Sequence, residues 1–99
     1  MNVKECQERV INNKIKKGFN ITNVEKEFCL LYGEVSEAYE AFRKKKQDLG
    51  GELADVAIYL MGIAEILNFD LEEEIMKKLE INEKRKYERI NGVNVKVDE

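Results

Sequence analysis

The chain has 99 residues, with 17 basic and 20 acidic side chains and no histidine, which gives a formal charge of −3 at pH 7. This length predicts one domain, and the acidic balance argues against general nucleic-acid binding. Two isolated cysteines, Cys6 and Cys29, leave little basis for a zinc site. No apolar run approaches the roughly 20 residues that span a bilayer, and the N-terminus has no signal-peptide core. We therefore expect no membrane contact and a cytoplasmic protein.

The first half of the chain predicts two helices. Proline is absent, and the abundance of Glu, Lys, Leu, Ile and Ala favours helix throughout. The first helix is expected over Val3–Lys17, where apolar residues recur at helical spacing. The second is expected to begin at Thr22, in a capping box with Glu25, or at Asn23. It ends in the basic run 43–46, which either complements the helix dipole or attracts phosphate.

The second half predicts two more helices and a tail. A short connection, 47–51, is expected to lay a third helix over 52–67 antiparallel to the second. That helix is apolar around nearly its whole circumference, so it must be buried on more than one side. A second copy of the chain is the simplest cover, which predicts a homo-oligomer. Glu65 near its end is expected to be exposed or at an interface.

The fourth helix is expected to begin after Asp70 as N-cap and to continue to about residue 90. Beyond it, alternating valines in the tail 91–99 indicate a strand. Such a strand has no partner in an otherwise helical chain, so it either pairs with another subunit or frays. The predicted organisation is one all-α, four-helix domain over 1–90 with an antiparallel central helix pair, followed by the tail. Gly33 and Gly62, inside predicted helices, suggest close helix packing.

Two carboxylate pairs, Glu34 with Glu37 and Glu52 with Asp55, are the candidate chemical centre. Residues three apart share a helix face, so an antiparallel connection can place four carboxylates around one centre. The same spacing occurs elsewhere in this acidic chain, but these two pairs lie among apolar residues. Burying unpartnered carboxylates costs several kcal/mol, and oxygen ligands suit Mg²⁺ or Mn²⁺. The alternative is a set of surface carboxylates paired with nearby Lys and Arg.

The segments LLYGEVSEAYEAF and GGELADVAIYL resemble the MazG-like, all-α nucleoside triphosphate pyrophosphohydrolases. The family signature, ExxE followed after a spacer by ExxD, falls on Glu34, Glu37, Glu52 and Asp55. KKGFNITNVEKE before it and NEKRKY after it extend the resemblance over most of the chain. The resemblance implies Mg²⁺-dependent hydrolysis of a nucleoside triphosphate to a monophosphate and pyrophosphate, in a dimer or tetramer. It also makes these four carboxylates the metal ligands and the catalytic centre.

The resemblance further implies that Lys78, Asn82 and Arg85 contact the phosphate, sugar or base of the substrate. Their spacing of four and three places them on one helix face, although a solvated charged face would have the same pattern. Tyr59, four residues after Asp55, is expected on the carboxylate face, where it either stacks on the nucleotide or belongs to the core. Two other functions stay open: a non-enzymatic regulatory dimer, and a nucleotide-binding sensor without turnover.

Overall fold

The computed structural model describes residues 1–97 and is mostly helical, as predicted. None of the described helices is long and apolar enough to cross a membrane. The elements follow one another in the order α1 (Val3–Lys17), α2 (Val24–Arg43), α3 (Leu49–Ile66), α4 (Leu71–Lys84), β1 (Lys86–Ile90) and β2 (Val93–Val97).

Local signals set the ends of α1, α2 and α4. Gly18 ends α1 in the left-handed conformation, with φ of 71°. The N-cap of α2 is Asn23, whose side chain accepts the Lys26 N–H at 3.0 Å. The predicted capping box of Thr22 is therefore wrong, since Thr22 lies one residue before the cap. Asp70 caps α4 as predicted.

The connection between α2 and α3 has its predicted length of five residues but lies three residues earlier, at 44–48, because α2 ends at Arg43 and α3 begins at Leu49 rather than at residue 52. Lys45 takes a left-handed φ of 55° and turns the chain away from α2. Gly51 then lies in the first turn of α3, where a Cβ would come within 2.5 Å of the Asp48 carboxylate. A glycine at this position lets Asp48 fold over the start of the helix.

Helices α2 and α3 form the most extensive helix packing among the described residues, and α1 also packs on α3. Small residues allow the close approach, with Ala38 and Ala41 of α2 buried. Gly62 faces α1, and a Cβ there would lie 3.4 Å from Val10 Cγ1. Close packing therefore explains Gly62. It does not explain Gly33, which has open space around it within this chain.

Gln7 ties α1 to the end of α3 and the start of α4. Its buried amide donates to Glu65 Oε2 at 2.7 Å and to the Phe69 carbonyl, and it accepts the Leu71 N–H at 3.1 Å. Glu65 is thus half-buried and hydrogen-bonded within the chain, whereas the sequence suggested an exposed or interface charge.

The end of the chain differs most from the prediction. Helix α4 stops at Lys84, and residues predicted as its last turns form β1, which pairs antiparallel with β2. Asn91 and Gly92 between the strands both have positive φ, as a tight hairpin turn requires. The predicted strand therefore has its partner within the chain, and the predicted division at residue 90 falls in the turn. Residues 98 and 99 of the tail lie outside the described residues.

The molecule is elongated and leaves much apolar surface exposed. Its radius of gyration is 16.9 Å, against about 12.6 Å for a compact domain of this length. Its accessible surface is 7907 Å², against about 5,800 Å² for a compact monomer of this mass. Helix α4 packs on α1, but residues 73–84 are all exposed. The accessible surface therefore exceeds that of a compact monomer by about 2,000 Å².

Candidate metal centre

The packing of α2 against α3 brings three of the predicted ligands together. One oxygen each of Glu34, Glu37 and Glu52 can be chosen so that all three lie within 4.8 Å of one another. Oxygens bound to Mg²⁺ at 2.0–2.1 Å lie about 3 Å apart when adjacent and about 4.2 Å apart when opposite. A small movement of these side chains would therefore give the spacing that the ion requires.

Two oxygens in this cluster are buried without a partner. Oε2 of Glu34 and Oε2 of Glu52 have no hydrogen-bond donor among the described residues. A buried, unpaired carboxylate oxygen is costly because it has lost its water and gained nothing in exchange. A divalent cation between the two helices would satisfy both oxygens at once. The residues present thus fit a hard cation such as Mg²⁺.

The electrostatics of Glu34 agree with this geometry. Burial, followed by the negative charges of Glu37 and Asp55, raises the pKa of the Glu34 carboxyl above its ordinary value. Asp55 is exposed and is not one of the three clustered ligands, but its charge reaches Glu34. Of the four predicted metal ligands, three therefore converge and Asp55 lies beside them.

Tyr59 lines a cleft of about 330 Å³ that does not include the three clustered carboxylates. Its ring is half-buried, and Lys14 Nζ lies 5.7 Å from the ring centroid, within the range of a cation–π contact. Burial, followed by the charges of Glu34 and Glu27, raises the pKa of the Tyr59 phenol. The predicted position of Tyr59 near the carboxylates agrees with these interactions. The sequence did not indicate the other cleft residues, Phe19 and Asn20 among them.

A buried ion pair borders the same cleft. Glu27 is 1% exposed, and it accepts hydrogen bonds from Lys14 Nζ at 2.5 Å and from Asn20 Nδ2 at 3.0 Å. Burial alone would raise the pKa of Glu27, but these hydrogen bonds have the larger combined effect. The pKa of Glu27 is therefore lowered from its ordinary value of 4.5. No spacing rule could have found this pair, because it joins α1 to α2 across a loop.

A second cleft, also of about 330 Å³, includes Glu37, Glu52 and Lys46. The basic run that ends α2 divides here between two roles. Arg43 and Lys44 pair with Glu40 at 3.3 and 3.4 Å. Lys46 instead lines the cleft. Of the two alternatives for the basic run 43–46, attraction of phosphate therefore concerns Lys46 alone.

The predicted strip of Lys78, Asn82 and Arg85 is not part of either cleft. Lys78 and Asn82 are exposed on α4, and Arg85 donates a hydrogen bond to Asn82 Oδ1 at 3.0 Å. The helix that carries them packs on α1 and does not pack extensively on α2 or α3. The structure of one chain therefore does not bring this strip to the carboxylates.

Comparison of the chain with protein-family models, with curated proteins and with solved structures finds no match. Its function is therefore inferred from its own residues and from the resemblance of its two acidic segments.

Proposed function

We propose that this protein is a Mg²⁺-dependent pyrophosphohydrolase that converts a nucleoside or deoxynucleoside triphosphate to the monophosphate and pyrophosphate. The observation that carries the proposal is the pair of buried, unpartnered oxygens on Glu34 and Glu52 within one acidic cluster. The resemblance of the two acidic segments to MazG-like enzymes supplies the reaction class.

The cluster of Glu34, Glu37 and Glu52 would hold the ion, and Mn²⁺ would substitute for Mg²⁺ because both accept carboxylate oxygens. When bound, the cation supplies Lewis-acid neutralisation of the negative phosphate oxygens. Asp55 is assigned the role of general base, because it is close enough to affect Glu34 yet lies outside the ligand cluster. It accepts the proton of the water that attacks the α-phosphorus, and pyrophosphate departs on the opposite side.

Two clefts would take the two ends of a nucleotide: one includes Glu37 and Glu52 of the cluster, and the other contains Tyr59. Lys46 lies where it would bind phosphate oxygens as a cation. Tyr59, in the more aromatic cleft, would stack on the base or sugar. Lys78, Asn82 and Arg85 line neither of these two clefts, so we assign their contact with a nucleotide at this centre to a second copy of the chain.

Self-association is part of the proposal because α2 and α3 expose a matched apolar surface. On α2 an outer stripe repeats with spacings of four and three residues, as in a coiled coil, and each member is between 42 and 75% exposed: Phe28, Tyr32, Val35, Tyr39 and Phe42. On α3, exposed leucines recur every seven residues at Leu53, Leu60 and Leu67. Phe28 shares a cleft with Leu60 and Leu67, which places both stripes on one side of the helix pair. A homo-oligomer, dimer or tetramer, would bury this surface.

A panel of ribo- and deoxynucleoside triphosphates, incubated with Mg²⁺ and assayed for pyrophosphate and monophosphate, tests the proposal. We expect turnover of at least one nucleotide and its loss in Glu34→Gln. Glu25→Gln, which removes an exposed carboxylate from the same helix, is the matched control and should retain activity. The absence of turnover for every nucleotide, or release of inorganic phosphate with a diphosphate, would contradict the proposal.

The second candidate is a non-enzymatic regulatory dimer, and the exposed stripe on α2 favours it. A dimer of this kind needs no cation, so Mg²⁺ should leave its melting temperature unchanged. The proposed enzyme should be stabilised by Mg²⁺, and further by Mg²⁺ with nucleotide, through linkage. A nucleotide sensor would show that stabilisation without forming product.

A further inference from the structure

Gly33 is a glycine that the packing of the described residues does not require. It lies near the middle of α2, where glycine is less favourable than alanine because its backbone loses more freedom on folding. A Cβ at this position would meet nothing within 4 Å among the described residues. The fold of one chain would therefore accept a side chain here.

The outer stripe of α2, proposed above as a self-association surface, does not require this glycine either. Successive residues of an α-helix are rotated by about 100° around its axis. Gly33 therefore lies about 100° or more around α2 from every member of the stripe, including Tyr32 and Val35, which are closest to it in sequence. A second copy that packs on the stripe would cover a different side of the helix.

Gly33 lies between the two clefts, on one face of α2. Leu30 lines the cleft that contains Tyr59, and Glu37 lines the cleft that contains Lys46. Gly33 follows Leu30 by three residues and precedes Glu37 by four, so the three positions share a helix face. On this face, the part of α2 that separates the clefts therefore has no side chain at its middle.

The same position adjoins the carboxylate cluster. Glu34 follows Gly33 directly and Glu37 follows it by one turn, and both contribute an oxygen to the cluster. Oε2 of Glu34 is buried with no hydrogen-bond partner among the described residues. The sugar of a nucleotide joins its base to its α-phosphate. A nucleotide with its phosphates at the cluster and its base in the cleft of Tyr59 would therefore carry its sugar over α2 near Gly33.

We propose that the sugar of the nucleotide lies against the backbone of α2 at Gly33, and that this residue determines whether a nucleotide can occupy both clefts at once. The inference rests on the proposed pyrophosphohydrolase function and adds the site of the sugar to it. Glycine is the residue that lets a backbone approach a ligand closely. A side chain at position 33 would hold the sugar away from the helix and would leave the metal ligands in place.

Gly33→Ala and Gly33→Leu test this site, with Gly50→Ala as the matched control. Gly50 also lies in a helix with nothing within 4 Å of an added Cβ, and it lines neither cleft. We expect Gly33→Ala to raise the melting temperature by about 4 °C, because alanine is the better helix former. It should nevertheless raise KM for the nucleotide about tenfold, and Gly33→Leu should raise it about 100-fold, because the sugar is displaced. Gly50→Ala should leave KM unchanged.

Titration of Mn²⁺ in the absence of nucleotide gives a second readout. Both variants of Gly33 should bind the ion with wild-type affinity, because glycine supplies no ligand. An unchanged KM in Gly33→Leu, or a loss of Mn²⁺ affinity in either variant, would overturn the site of the sugar and leave the hydrolase standing. Dissociation of an oligomer by Gly33→Ala, seen in sedimentation velocity, would assign the glycine to packing on a second copy instead. A wild-type chain that turns over no nucleotide would overturn both proposals.

Discussion

Glu27 and Glu34 lie two turns apart on the same side of α2, yet their surroundings are opposite. Glu27 meets Lys14 of α1 and Asn20, and its pKa is lowered. Glu34 meets Glu37 and Glu52, leaves one buried oxygen unpaired, and has a raised pKa. Among the described residues, the first carboxylate has a lysine and an amide as partners, and the second has only other carboxylates around it. The first therefore serves the fold, and the second is free to bind a cation from solution.

The helix that packs opposite each carboxylate makes this difference. α1 presents a lysine to Glu27, whereas α3 presents a second acid to Glu34.

Asp55→Asn should lower turnover by about 10²–10⁴-fold, because a general base supplies an effect of this size. Its affinity for Mn²⁺ should stay within about twofold of wild type, since Asp55 lies outside the ligand cluster. Steady-state kinetics and Mn²⁺ titration measure the two effects, with Asp48→Asn at the start of the same helix as control. Loss of Mn²⁺ affinity together with turnover would make Asp55 a fourth ligand instead.

Glu27→Gln should reduce the free energy of unfolding by about 3 kcal/mol at pH 7, because it leaves the buried Lys14 charge without its counterion. The folded pKa of Glu27 lies below its ordinary value of 4.5, so the ion pair contributes fully above pH 4.5 and is lost as the pH falls through the folded pKa. Urea denaturation from pH 7 to pH 3 should therefore show the two proteins converging. A constant difference across that range would mean that the charge of Glu27 is not what stabilises the fold.

Lys46→Gln should raise KM for the nucleotide about tenfold with little change in kcat, because one charge-assisted contact to phosphate contributes about 1.5 kcal/mol. Lys44→Gln is the matched control, since Lys44 pairs with Glu40 rather than lining the cleft. If Lys46→Gln and Lys44→Gln raise KM equally, the basic run 43–46 acts on the nucleotide only through its total charge.

Glu34→Gln should stabilise the metal-free protein by about 1 kcal/mol at pH 7, because it removes a buried charge that faces other acids. Thermal unfolding in the presence of a chelator measures this change in stability. Its sign should be opposite to that of the change expected for Glu27→Gln. A destabilised Glu34→Gln would mean that Glu34 already has a partner within the fold.

The sequence predicts the features of this protein that depend on short spacings. The four helices, the Gly18 and Asp70 caps and the convergence of Glu34, Glu37 and Glu52 all follow from helix periodicity and one tight connection. The hairpin was predictable in part, because Asn91-Gly92 between alternating segments is a strong turn signal, but charged residues before it favoured continuing the helix.

Other features depend on contacts between distant elements. Glu27 contacts Lys14 on another helix, and Lys46 lines the cleft with Glu37 and Glu52 from the loop in which Lys45 is left-handed. The position of α4 on α1 separates Lys78 from the carboxylates in one chain, which helix spacing alone does not reveal.

Calorimetric titration of Mn²⁺ into wild type, Glu34→Gln and Glu27→Gln at pH 7 tests the central claim most directly. Wild type and Glu27→Gln should bind the ion with similar affinity, and Glu34→Gln should bind it at least about tenfold more weakly, because it loses one of three carboxylate ligands. No binding by the wild-type chain, or equal binding by all three proteins, would contradict the assignment of the carboxylate cluster as a metal centre.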